Sequence, residues 1–401
     1  MMQNNGPLKG IRVVDFTHQA AGPWCTLLLG DMGAEVWKVE KQGRGDSIRY
    51  AGGADPVVGS FNFWGFNRNK KSIGIDVKHP DGVRLAKELV LNADVVVENF
   101  RPGVMDRLRL GYQELKRVNE RVIYCSITAF GSVGPLAQDP AMDLIVQATS
   151  GLMGLTGFPD GPPVKSAGAD ADIASGIYAA YGIALALFHR ATTGKGQRID
   201  LTMLDSVMSM LADINTVHLN TGRRFERFGD GHPDCVPYQA FRAQDGYFVV
   251  ACLVNAFCKR LMKALGREDV LENPRFTTNA ARCKPENRGE FVAILQEIFL
   301  TNTCEHWIAL CRANDVPSCR VNGLEEVFAM EQVKAIGSVQ EVPLPEGGTY
   351  KATDVITHMS ETPGSIRLRP PRLAEHTAEV LRAIGKSEEE IRALMDSGAC
   401  G

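Results

Sequence analysis

The sequence predicts an α/β protein with a Rossmann-like parallel sheet in a large domain, joined to a smaller α+β domain. Two observations predict this class. Short β-branched runs alternate with helical patterns in the first part of the chain. After Asn220 the chain changes to a polar, glycine-bearing linker, a hairpin pattern and several helices. We therefore predict a large domain of residues 1–222 with 331–401, and a small domain of residues 223–330.

The predicted strands of the large domain share a short, apolar, β-branched composition. They lie at residues 11–16, 36–39, 94–98 and 122–127. Helical patterns at residues 25–33 and 80–91 stand between them. Strands that alternate with helices form a parallel sheet covered on both faces, and ligands bind beyond the carboxyl ends of its strands. We therefore expect the functional residues in the loops that follow these strands.

A longer helix is predicted near the middle of the chain. Apolar side chains recur every three or four residues from Ile173 to Phe188, and Gly194 is placed to end the helix. Asp172 stands at or just before its first turn, where unpaired amides favour a carboxylate. Aspartate is a common N-cap residue, so this position alone favours a cap. The small residues 168–171 in front of it would also admit a ligand, so a nucleophile is the alternative.

The second part of the chain predicts the small domain and a returning tail. A hairpin is expected from residues 238–241 and 247–252, around the turn at 244–246. Helices are expected at residues 256–265, 288–300, 304–314 and 323–330. The tail is predicted to end in one helix from Thr377 to Leu394.

Composition fits a soluble enzyme and would fit many other soluble proteins. The chain has 401 residues, 44% of them apolar, and a formal net charge of -3, which gives no support for binding nucleic acid or membrane surfaces. Its ten cysteines lack a CxxC or Cys/His ligand spacing, so we expect buried thiols and no metal. The first residues lack a charged-then-apolar signal, and no run of about eighteen apolar residues occurs, so we expect a cytoplasmic protein.

Basic residues follow several of the predicted strands. Lys41 and Arg44 come after the second strand, and Arg101 and Arg107 after the strand at 94–98. Such a cluster suits the phosphates of a nucleotide, although a solvated basic rim is the simpler interpretation of charge alone. The turn after the first strand, at 18–23, fails the G-x-G-x-x-G test, which argues against a nicotinamide enzyme.

Several motifs, in one order along nearly the whole chain, resemble a known family. They stand at residues 10–16 with 21–23, 33–40, 67–72, 97–103, 143–147 with 150–151, 172–176, 193–200 and 375–377. Together they resemble the class III CoA-transferases, the formyl-CoA transferase and carnitine CoA-transferase family of the CaiB/BaiF type. The resemblance implies an interlocked, ring-like homodimer as well as the Rossmann-like fold.

The resemblance also implies a site. Asp172 matches the family's nucleophile, and Asp143 matches an acidic residue beside it. His18 and Ala20 match positions that line the pantetheine arm and the thioester. Positions that match the binding site of the coenzyme A nucleotide are Lys41, Ile75, Lys78, Asn99, Phe100, Arg101 and Arg107. Arg49 or Arg223–Arg224 would be candidates to contact a dicarboxylate.

The implied reaction moves coenzyme A from an acyl-CoA donor to a free carboxylic acid, through mixed anhydrides and an aspartyl-CoA thioester on Asp172. It requires no metal and no permanently bound cofactor, since coenzyme A enters as the acyl-CoA substrate. One alternative is an acyl-CoA racemase or epimerase of the same superfamily, but Met142 stands where racemases have a histidine. The other is a CoA-binding protein without turnover, in which both aspartates are caps. The glycine-rich flap of formyl-CoA transferases has no counterpart in this sequence.

Overall fold

The computed structural model describes residues 4–54, 58–344 and 347–401. The chain forms two compact units. The first comprises residues 1–152, 165–223 and 337–401, and the second comprises residues 153–164 and 224–336. The predicted domain boundaries stay a prediction, because compactness does not show that either part folds by itself.

Unit 1 is built on a six-stranded parallel sheet, which confirms the predicted fold class. Its strands are β1 (Arg12–Asp15), β2 (Glu35–Glu40), β3 (Lys70–Gly74), β4 (Val95–Glu98), β5 (Ile123–Thr128) and β6 (Arg198–Thr202). Their spatial order is β3-β2-β1-β4-β5-β6, the order of dinucleotide-binding folds. The strand order reverses between β1 and β4, which opens a crevice at the carboxyl ends of these two strands.

Helices lie between these strands and follow the last of them. Those between the strands are α1 (Ala21–Asp31), α2 (Phe61–Asn67), α3 (Pro80–Leu91), α4 (Val104–Arg107), α5 (Tyr112–Val118), α6 (Asp143–Thr149), α7 (Leu152–Leu155) and α8 (Asp170–Thr193), and those after β6 are α9 (Met203–Met210) and α10 (Ala212–Thr221). Residues 153–155 of α7 belong to the second unit. A 3₁₀ segment, Ser47–Gly53, lies between β2 and α2. The predicted bounds of α3 are confirmed. The predicted start of α1 was wrong, because the helix begins at Ala21 and includes Pro23 in its first turn. Backbone N–H groups of the first turn donate no hydrogen bond within the helix, so a proline is tolerated there.

The sheet carries a hydrophobic core on each face, because successive side chains of a strand point in opposite directions. Val13 of β1 packs on one face with α1, α8 and α9, and Val14 packs on the other face with α3 and α5. β6 was not predicted as a strand. Its side chains are exposed or half-buried, so it lacks the continuous apolar run of a central strand.

Helix α8 is the crossover that ends at β6. Gly194 ends it in the left-handed conformation, with φ 75°, as predicted. Among the described residues, α8 is the one helix long and apolar enough to cross a membrane by length and composition. Its small residues instead contact α1: a Cβ on Gly176 would lie 2.7 Å from the carbonyl oxygen of Ala21.

Unit 2 contains a three-stranded antiparallel sheet with helices packed on it. Its elements are β7 (Tyr238–Ala243), β8 (Gly246–Ala251), α11 (Asn255–Ala264), α12 (Asp269–Glu272), α13 (Asn279–Arg282), α14 (Pro285–Phe299), α15 (Cys304–Ala313), β9 (Ser318–Arg320), α16 (Leu324–Ala329) and α17 (Glu331–Ala335). The predicted hairpin and the four predicted helices are confirmed within a few residues. Cys252, Cys258, Cys304 and Cys311 are buried thiols, as expected.

The chain returns to unit 1 through a hairpin that was not predicted, β10 (Val339–Pro343) and β11 (Thr349–Thr353). The tail then forms two helices, α18 (Thr377–Ala383) and α19 (Glu388–Asp396). The prediction of one continuous helix was wrong. Gly385 adopts φ 91°, which a right-handed helix excludes, and the Ser387 side chain caps α19.

Candidate active site

A cleft of about 380 Å³ lies at the carboxyl ends of β1, β4 and β5. The loops that follow these strands and the first turns of α6 and α8 form its walls. Lining residues include His18, Gln19, Ala20, Asn99, Phe100, Arg101, Thr128, Phe130, Asp143 and Asp172. The cleft therefore occupies the crevice where the strand order of the sheet reverses.

The loop after β1 is held by buried charges beneath it. Gln19 adopts the left-handed backbone conformation, with φ 65°, and its N–H lies 3.2 Å from both carboxylate oxygens of Asp46. Lys38 donates to Asp46 Oδ2 (3.1 Å) and to the carbonyl oxygen of Thr17 (2.9 Å). Asp46 and Lys38 are fully buried, so these contacts fix the loop against the sheet.

Asn99 connects the loop after β4 to the loop after β1. Its Oδ1 accepts from the N–H of His18 (2.8 Å), and its Nδ2 donates to the carbonyl oxygen of His18 (2.9 Å). The His18 ring meets the Phe100 ring edge-on, with centroids 5.1 Å apart. Burial lowers the pKa of His18 and outweighs the opposing effect of the Asp46 carboxylate. His18 is therefore uncharged at neutral pH, and its ring lines the cleft.

The two aspartates of interest meet at the start of α8. Asp143 Oδ1 accepts hydrogen bonds from the backbone N–H groups of Ala171 (2.8 Å) and Asp172 (3.3 Å). Asp143 is the first residue of α6, and it caps α8, whose own N-cap residue is Ala169. Interpreting Asp172 as an N-cap was therefore wrong. Asp172 lies inside the first turn, and Asp143 supplies the cap from a different helix.

The protonation of Asp172 is unusual for an aspartate. Burial, and then the nearby charge of Asp143, raise its pKa from the ordinary 3.8 to about 7. Among the described residues, the Asp172 side chain has no hydrogen-bond donor. It is only half-buried and lines the cleft. The site thus presents a carboxylate that changes charge near neutral pH and faces a space able to hold a reacting group.

Seven of the eleven site residues that the sequence suggested line this one cleft: His18, Ala20, Asn99, Phe100, Arg101, Asp143 and Asp172. The other four lie outside its lining. Lys41, Lys78 and Arg107 are exposed. Ile75 is buried in the core on one face of the sheet, so its side chain is not available to a ligand and only its backbone remains.

One suggested substrate contact was wrong. Arg49 is fully buried, and it donates to both carboxylate oxygens of Glu40, at 2.8 and 2.7 Å. An arginine committed to a buried bidentate ion pair cannot bind a substrate carboxylate without leaving Glu40 unpaired. Arg101, which is exposed and lines the cleft, is the cation placed to meet an anion there.

Sequence reasoning missed several lining residues. Gln19 stands between two residues that were named, Thr128 is the last residue of β5, and Phe130 lies in the loop after it. A signal for the second group was present: residues 129–142 are rich in glycine, proline and alanine directly after a predicted strand. The carboxyl end of that strand therefore had to carry a loop at the ligand-binding edge of the sheet.

Comparisons with known proteins agree with this geometry. The sequence model of CoA-transferase family III matches residues 8–377. The human protein named succinyl-CoA:glutarate CoA-transferase is 37% identical over 400 residues, covering 99% of this chain and 90% of that protein. The acetyl-CoA:oxalate CoA-transferase of Acetobacter aceti is 40% identical over 333 residues, covering 82% of this chain and 84% of that protein. The crystal structure of a CaiB/BaiF family protein from Brucella suis has a TM-score of 0.84 at 36% identity, covering 95% of this chain and 100% of that one.

Proposed function

Because this chain belongs to CoA-transferase family III and is a CoA-transferase, we propose that Asp172 carries its reaction as the nucleophile. The observation that carries this proposal is the placement of Asp172. Its carboxyl group lines the cleft at the start of α8, beside Asp143, with a pKa raised to about 7. A nucleophile of this pKa is ionised in a large fraction of molecules at neutral pH.

The reaction proceeds in two halves. In the first, a carboxylate oxygen of Asp172 attacks the thioester carbonyl carbon of the acyl-CoA donor, and the C–S bond breaks. The released thiolate attacks the aspartyl carbonyl of the mixed anhydride and displaces the donor acid as its carboxylate. In the second half, the acceptor carboxylate attacks the aspartyl-CoA thioester and releases the thiolate again. The thiolate then attacks the acceptor's carbonyl, which forms the new acyl-CoA and regenerates the Asp172 carboxylate.

The tetrahedral intermediates need hydrogen-bond donors for their oxyanions. The N–H groups of Ala171 and Asp172 do not serve, because Asp143 already accepts from both. Ala20 and Ala21 line the cleft at the start of α1, a helix without a capping side chain. Within the described residues, their N–H groups have no hydrogen-bond acceptor. We assign these two amides to the oxyanions.

The acceptor is a dicarboxylic acid. The two relatives described above are named for glutarate and oxalate, both dicarboxylates. In this chain Arg101 lies on the wall of the cleft and can meet the second carboxylate, which takes no part in the exchange. A panel of mono- and dicarboxylic acids tested against succinyl-CoA and acetyl-CoA measures this preference directly. Equal kcat/KM for both classes of acid would contradict it.

Trapping tests the nucleophile. Wild-type protein incubated with succinyl-CoA and hydroxylamine should acquire a hydroxamate at Asp172, detected by mass spectrometry of its peptides. Asp172→Ala should lose transfer by at least about 10³-fold and keep coenzyme A affinity within about threefold, since the residue contacts the reacting carbonyl only. A variant with substantial turnover, or a hydroxamate at another residue, would remove Asp172 from this role. The non-catalytic alternative predicts no hydroxamate at all.

The enzyme acts as a cytoplasmic homodimer. All ten cysteines are free thiols, eight of them buried, which suits a reducing compartment. Helix α8 exposes large apolar side chains at Ile177, Tyr181, Leu185 and Phe188. An exposed apolar stripe of this kind is characteristic of a protein–protein interface, and a second copy of the chain is the partner that we propose.

A further inference from the structure

We propose that Gln147 is a positioning residue of the transfer site, whose amide holds the Asp143 carboxylate against the first turn of α8. This proposal rests on the proposed function, because it concerns the pair Asp143 and Asp172. Gln147 lies on α6, one turn after Asp143, and its side chain is fully buried. A fully buried amide must find its hydrogen-bond partners within the protein, and those partners fix its orientation.

The amide of Gln147 joins two separate parts of unit 1. Its Nε2 donates to Asp143 Oδ2 (2.7 Å) and, over a longer distance, to the carbonyl oxygen of Gly168 (3.5 Å). Its Oε1 accepts from the backbone N–H (3.2 Å) and the hydroxyl (3.3 Å) of Ser166. Gln147 thus ties α6 to the loop that leads directly into α8 and Asp172.

These contacts determine what Asp143 can do. One oxygen of its carboxylate is bonded to Gln147, and the other accepts from the amides of Ala171 and Asp172. Rotation of the carboxyl group would break a hydrogen bond on each side. With donors against both oxygens, Asp143 stays a fixed acceptor next to Asp172. An apolar side chain of equal length at position 147 would fill the same space and leave one of these oxygens without its donor.

The competing interpretation is that the hydrogen bonds of Gln147 only stabilise the fold. The titration of Asp172 distinguishes this structural role from the proposed positioning role. The titratable and charged groups that line the cleft with Asp172 are Asp143, Asp139, His18 and Arg101, and Asp170 lies two residues before it in the first turn of α8. Asp143 is the one that raises the pKa of Asp172. If Gln147 positions Asp143, loss of its hydrogen bond to Asp143 changes the titration of Asp172. If Gln147 only stabilises the fold, the same loss changes the free energy of unfolding alone.

The experiment compares wild-type protein with Gln147→Met, Gln147→Glu and a control, Thr149→Ala, on the exposed face of the same helix. Three quantities are measured from about pH 5 to pH 9: kcat and KM with succinyl-CoA and glutarate, and the midpoint of the ¹³C carboxyl titration of Asp172. Gln147→Met should lower kcat by about 10- to 100-fold, change KM for the donor less than about threefold, and move the Asp172 midpoint downwards. Gln147→Glu adds a carboxylate and should move the midpoint upwards, while Thr149→Ala should match wild type.

The proposal is overturned if both Gln147 variants keep the wild-type kcat and the wild-type Asp172 midpoint, or lose thermal stability alone. If neither variant folds, Ser166→Ala decides, because it removes one donor to Gln147 from a half-buried residue. A smaller downward shift of the midpoint is then expected, and an unchanged midpoint overturns the proposal. The carboxyl titration of Asp172 needs no turnover. If wild-type protein is inactive, the proposed transfer function is refuted, and the Asp172 midpoints of the variants still test the role of Gln147.

Discussion

At the scale of single residues, two aspartates with the same chemistry differ through their hydrogen bonds. Asp143 accepts from Gln147, Ala171 and Asp172, whereas Asp172 has no donor to its side chain among the described residues. Burial therefore acts on Asp172 without compensation, and the charge of Asp143 adds to it. Hydrogen bonds therefore hold the Asp143 carboxylate in place, whereas the Asp172 side chain has none among the described residues, as the proposed nucleophilic role requires.

The rate of transfer should depend on pH through this group. Because the proposed nucleophile is the ionised carboxylate of Asp172 and its pKa is about 7, kcat/KM for the acyl-CoA donor should fall tenfold per pH unit below pH 7 and level off above it. Initial rates across the pH range, at donor concentrations well below KM, measure this decrease in kcat/KM. A rate that stays constant down to pH 5 would show that Asp172 is ionised far below the expected range.

The raised pKa of Asp172 also predicts that Asp172→Asn changes the stability of the protein. A pKa of about 7 in the folded state, against 3.8 ordinarily, means that the fold binds this proton more tightly than the unfolded chain. The resulting stabilisation is complete below pH 3.8 and lost as the pH rises through 7. Asparagine resembles the protonated form, so the variant should exceed wild type by on the order of 2 kcal/mol at pH 8, allowing for partial exposure.

Urea unfolding of both proteins at pH 4 and pH 8 checks this difference. The gap between their free energies of unfolding should be small at pH 4 and largest at pH 8. A variant less stable than wild type at pH 8 would show that the Asp172 carboxylate is stabilised by a partner in the fold.

At the scale of elements, α8 buries the face with its small residues. Ala174, Gly176 and Ala179 are buried, whereas Tyr181 and Phe188 are exposed. The apolar periodicity correctly predicted a helix, but the stripe of large side chains is not the face that packs on unit 1. Small residues let α8 approach α1 closely, which places the first turn of α8 at the cleft.

Gly176→Ala should therefore damage the site through the backbone. Its Cβ would lie 2.7 Å from the carbonyl oxygen of Ala21 and 3.0 Å from the amide nitrogen of Cys25, so α8 must shift. We expect a loss of about 1–3 kcal/mol in stability and of about tenfold in kcat. Gly182→Ala is the matched control, because its nearest neighbour, Cγ2 of Ile199, is 3.5 Å away.

Thermal unfolding and kcat, measured for both variants, test the contact. The control should be neutral or gain up to about 1 kcal/mol from improved helix propensity. Equal behaviour of the two glycine variants would mean that the close approach to α1 does not position Asp172.

At the scale of the whole molecule, we propose that a second chain covers the exposed apolar stripe on α8. Tyr181→Glu together with Phe188→Glu should shift the protein from dimer to monomer, because two charges would be buried in an apolar interface. Sedimentation velocity at several concentrations measures the mass. Leu91→Glu at the end of α3, another exposed apolar residue, is the control and should leave the mass unchanged. A double variant that keeps the dimer mass would place the interface elsewhere.

The sequence by itself determined the α/β class, the bounds of α3, the hairpin of unit 2 and the family. These features depend on local patterns, because residues two to four apart record the period and the ends of each element. Only the tertiary structure decided that Asp143 caps α8 across 28 residues of sequence, that Arg49 is committed to Glu40, and that small residues form the packed face of α8. The physical reason is that these contacts depend on the strand order and on helix packing, which bring together side chains that no local pattern relates.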